Sequence, residues 1–440
     1  MSRLANVLIA AAAAPWLDEL LAQLKERNFS AKTCGNAAET LEHARTSQPD
    51  VAVVGLASPD FDGFQLAADL GEHVPVVPVA TGRQPELFAR ALQAGAADLF
   101  FCPLDYDEFF TRLRSLLRLS TMVAEVHRRT KLAGRFGVKV EDHIDLKPSD
   151  NPYNIFVAGA DGEEEKLIGT MFEGNSLITA HPDLLAAEKT LTESFYDASV
   201  IALDEDIDRE PMLEMCLQLR KNPRLYNLPM IFLAPPVALP DRTALYGHGA
   251  TVVIDRPPPP AQLRFVLASQ INSHRRRWQI RQAMDMTLRQ PIVDALTGGY
   301  TFEFMRAHLR SLIKSSRAWR KHLTLVFFSI PDVIGIRRQF GDEAADDLVQ
   351  QLFRWISGML RTEDMTALYK EHDFCVALPD TPLDEADLVM HRIAGVISYT
   401  DFALCEVYQP IIINVEVSMA ELETNDSVDS LIARARIRLD

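Results

Sequence analysis

The sequence predicts an α/β protein made of two doubly wound units followed by a third α/β unit. Short apolar runs alternate with amphipathic helices over residues 1–122, and residues 150–273 repeat the same order. Valine-rich runs of this kind are typical of parallel strands that helices cover on both faces. The length of 440 residues fits about three domains. In residues 291–440, helices alternate with β-rich runs at 323–330, 375–378 and 411–417.

The first unit opens with an apolar segment at residues 6–9 and continues into an amphipathic helix. From Trp16 to Leu24, large apolar residues recur at intervals of three and four, as one face of a helix requires. A secretory signal is an alternative for this alanine-rich start, but a signal peptide would not need the amphipathic helix. We therefore expect a buried strand at residues 6–9 and further strands at 51–54 and 76–79.

The second unit repeats this arrangement of strands and helices. Its apolar runs predict parallel strands at residues 155–158, 200–203, 230–233 and 252–254. Residues 123–149, between the two units, are charged and contain Gly134 and Gly137, which favours a linker.

Residues 274–290 are predicted to form a helical stalk that leads to the third unit. This stretch favours helix and carries four arginines, at Arg275, Arg276, Arg277 and Arg281. A phosphate-binding patch is one interpretation of these charges. We favour a solvated stalk, whose arginines extend their charged ends into water.

The composition limits the classes of partner. A net charge of −16 disfavours broad binding to nucleic acid or to an anionic membrane, because both attract positive surfaces. No apolar run approaches the roughly 20 residues that span a bilayer, so we expect no membrane insertion. The cysteines lie far apart without metal-type spacing, which predicts reduced thiols in a cytoplasmic protein without a metal or cofactor: Cys34, Cys102, Cys216, Cys375 and Cys405.

Three motifs give the first unit a family resemblance. Pro49-Asp50 precedes a predicted strand, Asp62-Gly63-Phe64 follows it, and Gly95-Ala96-Ala97-Asp98 precedes a final strand that ends before Pro103. With these motifs the unit resembles the flavodoxin-like receiver domains of response regulators, and the second unit resembles them more weakly. The resemblance implies a site where carboxylates hold Mg²⁺, an aspartate accepts phosphate, and a lysine and a hydroxyl sense the new charge.

Both units lack the residues that this chemistry requires. In the first, the acidic pair falls on Ala11 and Ala12, the acceptor aspartate on Gly55, and the lysine on Cys102. Asp204 in the second unit comes two residues late, and capping the next helix is a simpler role for it than accepting phosphate. We therefore expect both units to be rigid folds that dock other proteins and do not accept phosphate. The corresponding positions of the second unit are Gly159, Ala160, Ala202, Ala234 and Arg256.

The third unit resembles the GGDEF family, whose fold is nucleotidyl-cyclase-like. Asp294-Ala295-Leu296-Thr297-Gly298 follows a long helix, and Phe340-Gly341, Asp346 and Leu378-Pro379-Asp380-Thr381 keep the family order. Intact members join two GTP molecules into cyclic di-GMP. The order receiver, receiver, GGDEF also resembles that of known response regulators.

The resemblance implies a GGDEF domain without cyclase activity. The signature hairpin falls on Lys370–Phe374, so both glycines that admit a triphosphate are replaced. His372 and Ser329 stand where metal-binding carboxylates are expected. Of the guanine contacts, Asp346 remains and the partner asparagine has become Arg337. We therefore expect no catalytic residues, no bound metal and no enzyme.

A separate inhibitory site of the family, written RxxD, is intact. Arg361-Thr362-Glu363-Asp364 has this pattern, and five residues separate Asp364 from the hairpin at Lys370, which is the family spacing. A guanidinium can donate to guanine O6 and N7 or bind phosphate, and a carboxylate can accept from guanine N1 and N2. Arg392 falls where the family has a further arginine, and a second expected arginine reads Leu388. The alternative is an ion pair between Arg361 and Asp364 at a helix end.

These features predict a non-catalytic cyclic di-GMP receptor and scaffold, with Arg361, Asp364 and Arg392 as ligand contacts. Resemblance to regulators of this architecture implies protein partners, homodimerisation, movement to a cell pole and presentation of a cell-cycle regulator for proteolysis. The alternatives are a residual diguanylate cyclase or GTP-binding enzyme, a conventional phosphorelay output, and a structural adaptor without a ligand.

Overall fold

The computed structural model describes residues 3–71, 74–139, 151–159, 162–182, 187–203, 209–222, 225–235, 242–405, 407–437 and 439. The predictions for Ala160 and Asp204 therefore lie outside the described residues, as does most of the second half of the predicted linker. None of the helices in these ranges has the length and apolar composition that crossing a bilayer requires.

The first unit is a five-stranded parallel sheet in the order β2-β1-β3-β4-β5. Strands β1, β3 and β4 lie where the apolar runs predicted them, with helices on both faces of the sheet. The strands are β1 Asn6–Ala10, β2 Ser30–Cys34, β3 Val51–Gly55, β4 Val76–Ala80 and β5 Phe100–Phe101. The helices are α1 Pro15–Glu26, α2 Ala37–Ser47, α3 Gly63–Gly71, α4 Pro85–Gln93 and α5 Tyr106–Arg135.

The second unit has the same strand order, β7-β6-β8-β9-β10, and all its pairs are parallel. The predicted doubly wound repeat is confirmed. Its strands are β6 Tyr153–Ala158, β7 Ser176–His181, β8 Ala198–Ala202, β9 Met230–Ala234 and β10 Val252–Asp255. Its helices are α6 Glu163–Met171, α7 Ala187–Glu193, α8 Arg209–Lys221, α9 Arg242–Gly247 and α10 Pro260–Thr287.

The third unit is an antiparallel sheet, β12-β13-β11-β14, with a core on each face. Alternate residues of β11 face the two cores, with Phe327 on one side and Phe328 on the other. Its strands are β11 Leu323–Ser329, β12 Met365–Lys370, β13 Asp373–Pro379 and β14 Glu416–Glu421. Its helices are α11 Phe302–Trp319, α12 Asp332–Phe340, α13 Asp342–Met359, α14 Leu383–Ser398 and α15 Val428–Arg436.

One predicted strand is displaced. The run 411–417 was expected to be a strand, but β14 begins at Glu416 and ends at Glu421. Ile411 instead forms an isolated antiparallel bridge with Phe402. The apolar residues before β14, such as Ile413, are buried against the helices on one face of the sheet, which explains their hydrophobicity without a strand.

The predicted linker at residues 123–149 is wrong in its first half, because residues 123–135 continue α5. The end of this helix packs into the core of the third unit through Leu132 and Ala133. The glycines mark the end of the helix: α5 stops at Arg135, and Gly137 takes a positive φ of 84°.

The predicted stalk at residues 274–290 is helical up to Thr287, but it is not solvated over most of its length. Helix α10 packs along α5 through a small apolar cluster that includes Met122, Val126 and Ile280. Three of its four arginines, Arg275 to Arg277, are half-buried rather than extended into water, whereas Arg281 is exposed as predicted. Arg275 donates to Asp197 at 2.7 Å, and Arg277 donates to the Ser115 hydroxyl at 2.6 Å, so these two charges bind partners on neighbouring elements.

The first two units cover each other through α4, α5 and α10. Phe88 and Phe265 lie with ring centroids 6.1 Å apart, and the Tyr246 hydroxyl donates to Glu108 at 2.9 Å. The α4–α5 face of the first unit is therefore covered by the second unit and is not available to dock another protein.

Candidate functional site

The predicted phosphoacceptor position of the first unit is packed with apolar atoms. Gly55 ends β3, beside Ala11 at the end of β1. A Cβ added at Gly55 would stand 3.0 Å from the Trp16 ring and 3.1 Å from the Ala11 Cβ. The space where an acceptor side chain would project is therefore filled by Trp16.

In the second unit the backbone closes the position of the acidic pair, beside the predicted acceptor position Ala202. Gly159 follows β6 with a φ of 69°, and a Cβ there would meet the Ala202 carbonyl oxygen at 2.4 Å. At the predicted lysine position, Arg256 donates to Glu164 at 2.6 Å and to the Leu203 carbonyl at 3.1 Å. This arginine bridges the ends of the parallel strands to α6.

The GGDEF-like hairpin lies where the register predicted it. Strand β12 ends at Lys370 and β13 begins at Asp373, so Glu371 and His372 form the turn. Ser329 pairs opposite Asp373, and its hydroxyl donates to the Asp373 carboxylate at 2.7 Å. The residues at the predicted metal positions are thus neighbours in space.

Asp373 is neutralised by an arginine that the sequence analysis missed. Its side chain is only 3% exposed, and the Arg436 guanidinium lies 3.3 Å away. Arg436 comes from α15 and also lies over the Tyr369 ring, 4.8 Å from its centroid. A cation other than a metal therefore already balances this carboxylate. Nothing in the local sequence pointed to Arg436, because α15 and β13 meet only in the folded chain.

The predicted guanine pair has also become an ion pair. Arg337 donates to Asp346 at 3.0 Å and to Asp342 at 2.6 Å. A carboxylate that accepts from guanine must be free of a strong competing donor. Here the residue that replaces the family asparagine supplies such a donor.

The Arg361–Asp364 turn links α13 to β12 and exposes its guanidinium. The Asp364 carboxylate accepts from the Arg361 backbone amide at 2.9 Å, while the Arg361 side chain is 44% exposed. That side chain extends towards Glu385, 4.0 Å away. Asp364 therefore closes the turn by binding the backbone amide of Arg361, and the Arg361 guanidinium extends towards Glu385 instead of Asp364.

Helix α14 brings the third predicted contact to the same surface. Glu385, Leu388 and Arg392 recur at intervals of three and four, so they share one face of the helix. All three are exposed, Leu388 by 76%. Arg392 stands about two turns, or roughly 10 Å, beyond Glu385, the residue that Arg361 approaches. The role of Arg361, Asp364 and Arg392 as ligand contacts stays a prediction.

The environment of Asp364 alters its ionisation. Burial raises the pKa of Asp364 to about 7, and the neighbouring Glu363 adds to the rise, while Arg361 and Arg118 oppose it. At neutral pH this carboxyl is therefore divided between its protonated and ionised forms.

Comparison with known proteins defines two of the units. Residues 7–114 match the response regulator receiver domain, and residues 292–440 match the family described as diguanylate cyclase, GGDEF domain. The chain therefore combines a receiver domain with a GGDEF domain, as the sequence predicted.

Full-length similarity points to response regulators. The chain is 22% identical over 425 residues to response regulator PleD of Caulobacter vibrioides, covering 94% of this chain and 92% of PleD. It is 28% identical over 144 residues to the transcriptional regulatory protein KdpE of Mycobacterium tuberculosis, covering 30% of this chain and 64% of KdpE.

Two solved structures are similar to the third unit. The GGDEF domain of DgcB from Caulobacter crescentus, in complex with c-di-GMP, is 17% identical and covers 34% of this chain and 89% of its own, with a TM-score of 0.33. The FimX GGDEF domain from Pseudomonas aeruginosa is 16% identical and covers 33% and 90%, with a TM-score of 0.32.

Proposed function

We propose that this chain is a non-catalytic receptor for cyclic di-GMP, which binds at Arg361 and Asp364 with help from Arg392. The observation that carries the proposal is the Arg361–Asp364 turn, which holds a carboxylate in place and leaves the neighbouring guanidinium exposed. The guanidinium donates to guanine O6 and N7 or to a phosphate, and the ionised carboxylate accepts from N1 and N2.

The geometry of the hairpin supports a site without catalysis. Two-metal phosphoryl transfer needs carboxylates that are free to hold the ions. Here His372 and Ser329 replace the expected carboxylates, and the remaining hairpin carboxylate, Asp373, binds Ser329 and Arg436. The retained guanine contact, Asp346, is bound by Arg337. A triphosphate would also have to approach Glu371, whose charge repels it.

Titration calorimetry with cyclic di-GMP tests the receptor function. We expect saturable binding to the unmodified chain, a loss of at least about ten-fold for Arg361→Ala, and a smaller loss for Arg392→Ala, because charge-assisted contacts are worth about 1.5–3 kcal/mol. Arg354→Ala is the matched control, since Arg354 is exposed on α13 in the same domain. No saturable binding to the unmodified chain would refute the proposal and leave the ligand-free adaptor.

A residual diguanylate cyclase or GTP-binding enzyme is the competing function, because the matching family is described as diguanylate cyclase. It predicts that GTP with Mg²⁺ or Mn²⁺ gives cyclic di-GMP and pyrophosphate, and that Asp346→Ala abolishes the reaction. We expect neither product above a buffer control. Turnover that depends on Asp346 would establish the enzyme instead.

We also propose that the chain acts as a scaffold. Two receiver-like units without phosphoacceptors, an altered GGDEF site and an intact RxxD resemble the cell-cycle regulator PopA. That resemblance implies a cytoplasmic protein that moves to a cell pole on binding cyclic di-GMP and helps present a regulator to a protease. It also implies a homodimer, which sedimentation with and without ligand would detect.

A further inference from the structure

The inner side of the Arg361–Asp364 turn rests against α5, the long helix that leaves the first receiver domain. Arg118 donates through Nε to the Glu363 carboxylate at 3.1 Å. Arg129 donates to the backbone carbonyl oxygens of Glu363 and Asp364, the latter at 2.9 Å. These two arginines are three turns apart on α5 and therefore lie on the same face of the helix, from which both reach the turn.

These contacts are buried. Glu363 and Arg129 are each 3% exposed, and Arg118 is about one quarter exposed. Arg129 is itself oriented by Glu125, whose carboxylate lies 3.6 Å from its Nε. Removing one partner of a buried charged contact leaves the other unsatisfied, which makes such contacts costly to break. The conformation of the turn therefore depends on α5.

The two sides of the turn have different tasks. The backbone carbonyls of Glu363 and Asp364 accept from α5, while the Arg361 side chain is exposed and extends towards Glu385 of α14. We infer that Arg118 and Arg129 are positioning residues for cyclic di-GMP, so that the ligand site in the GGDEF domain is complete only when α5 is docked against it. The inference rests on the proposed function. It ties ligand affinity to the contact between the first receiver domain and the GGDEF domain.

Charge adds a second link between α5 and the ligand site. The groups that face Asp364 are Arg361 and Glu363 on its own turn and Arg118 on α5, and Arg277 of α10 faces Glu363. Glu363 disfavours ionisation of Asp364, and Arg118 favours it. The α5 contact thus influences both the shape and the charge of the turn.

The first test measures the affinity for cyclic di-GMP of three full-length variants, each with one substitution on α5. Arg129→Met is expected to weaken binding by at least about five-fold, because two carbonyls lose a charged donor. Arg129→Lys should recover part of the loss. Arg114→Met is the matched control, since Arg114 is exposed on the same helix. Equal affinities for Arg129→Met and the unmodified chain would overturn the inference, whereas no binding to the unmodified chain would overturn the proposed function as well.

The second test separates positioning from a general loss of structure, and it applies even if Arg129→Met does not fold. Glu363→Gln removes the charge beside Asp364 but keeps an oxygen that can accept from Arg118. The pH at which binding reaches half its maximum should move down, because less repulsion lowers the pKa of Asp364. A damaged fold would weaken binding at every pH without moving this midpoint. An unchanged midpoint would remove the electrostatic part of the inference.

A second, independent cluster lies at an edge of the first sheet. Cys34 ends β2, and Glu39 and His43 lie four residues apart on α2. One potential ligand atom of each residue lies within 4.8 Å of the other two. Cys34 is 3% exposed, and the other two side chains are half-buried at the surface.

We propose that Cys34, Glu39 and His43 bind Zn²⁺. Thiolate, imidazole and carboxylate are its usual ligands, at about 2.0–2.3 Å from the metal, and ligands of one tetrahedral ion lie well within 4.8 Å of one another. The interval of four residues puts Glu39 and His43 on one helix face. Three protein ligands leave one position for water or for a ligand from another molecule. Cysteine spacing alone did not reveal this cluster.

Cobalt replaces zinc in the test because its thiolate complex absorbs light. Titrating Co²⁺ into the reduced chain should give a thiolate-to-metal charge-transfer band at one equivalent, reversed by Zn²⁺. Cys34→Ser and His43→Ala should abolish the band, and Cys405→Ser, at an exposed cysteine, should retain it. No band in the unmodified chain, or a band that survives Cys34→Ser, would exclude the site.

Discussion

At the scale of single residues, the carboxylates retained from the GGDEF pattern have acquired arginine partners. Arg436 binds Asp373, and Arg337 binds Asp346. Each arginine supplies the positive charge that a buried or half-buried carboxylate needs. By contrast, the Arg361 guanidinium is more exposed, and the Glu385 carboxylate lies 4.0 Å from it. Arginines of the chain itself therefore bind the carboxylates at the hairpin and at the guanine-contact position, whereas the Arg361 side chain is accessible to a ligand.

Cyclic di-GMP binding should depend on pH through Asp364. Its pKa is raised to about 7, and only the ionised form accepts both guanine donors. Affinity should therefore rise as the pH increases through 7 and level off above it. Between pH 7 and pH 6 the loss should approach a few-fold, and it should reach about ten-fold per unit at lower pH. Calorimetry from pH 5.5 to 8.5 in matched salt would measure this; a flat profile would show that Asp364 does not contact the ligand in its ionised form.

Leu388→Arg should strengthen binding. Leu388 is 76% exposed and lies one turn before Arg392 on the same helix face, so an arginine there adds a cation to the ligand surface without disturbing the core. The expected gain is about two- to five-fold, the scale of an exposed charged contact. Tyr399→Arg is the control, because Tyr399 is also largely exposed, at 94%, but lies past the end of α14. Equal gains for both would indicate nonspecific attraction.

At the scale of elements, α5 is the helix on which the chain is organised. It begins in the first receiver domain, packs along α10, and ends in the core of the GGDEF domain. Its length of 30 residues spans roughly 45 Å, enough to reach all three units. A displacement of α5 would therefore change its contacts both with the Arg361–Asp364 turn and with α10.

Ile280→Ala should destabilise the α5–α10 contact. Ile280 is fully buried in a small cluster with Met122 and Val126, so truncation leaves a cavity between the helices. The expected cost is about 2–5 kcal/mol of unfolding free energy. Met286→Ala, at a 57% exposed position on the same helix, should change stability by less than about 0.5 kcal/mol. Urea unfolding of both variants would check the difference, and equal midpoints would argue against the packing.

At the scale of the whole molecule, the first receiver domain and the GGDEF domain are joined by a buried lysine. Lys321 lies 2.5 Å from the Asp50 carboxylate and 3.0 Å from that of Asp380. Asp380 also accepts from Thr121 of α5 at 2.8 Å. One cation thus connects the N-terminal sheet, α5 and the end of β13. The receiver domain is held against the GGDEF domain rather than tethered to it.

Lys321→Met should loosen this arrangement. It leaves the buried carboxylate of Asp50 and the half-buried carboxylate of Asp380 without their shared cation, at a cost of about 3–5 kcal/mol. Lys314→Met, at an exposed position on α11, is the control. Calorimetric unfolding should show a lower or split transition for Lys321→Met alone, and hydrogen exchange should rise at the start of β3 and the end of β13. Protection equal to that of the control would mean that the two domains do not depend on Lys321.

The sequence by itself determined the parallel sheets of the first two units, the α/β class of the third, and the positions of the hairpin and the turn along the chain. Buried parallel strands have near-continuous apolar runs, and motif spacing fixed the hairpin at Lys370–Phe374 and the turn at Arg361–Asp364. These are local properties, because strand burial and turn spacing are encoded by neighbouring residues. The predictions were wrong where charged residues were interpreted as solvent-exposed, at residues 123–135 and at Arg275 to Arg277.

Only the tertiary structure decided which partners the charged residues have. Arg118 and Arg129 each stand more than two hundred residues before Glu363 in the chain, and Arg436 meets Asp373 from another element. An arginine looks the same in sequence whether it faces water or a buried carboxylate, since its partner is chosen by the packing of distant helices. For that reason the sequence could place the turn, and only the fold shows what holds it.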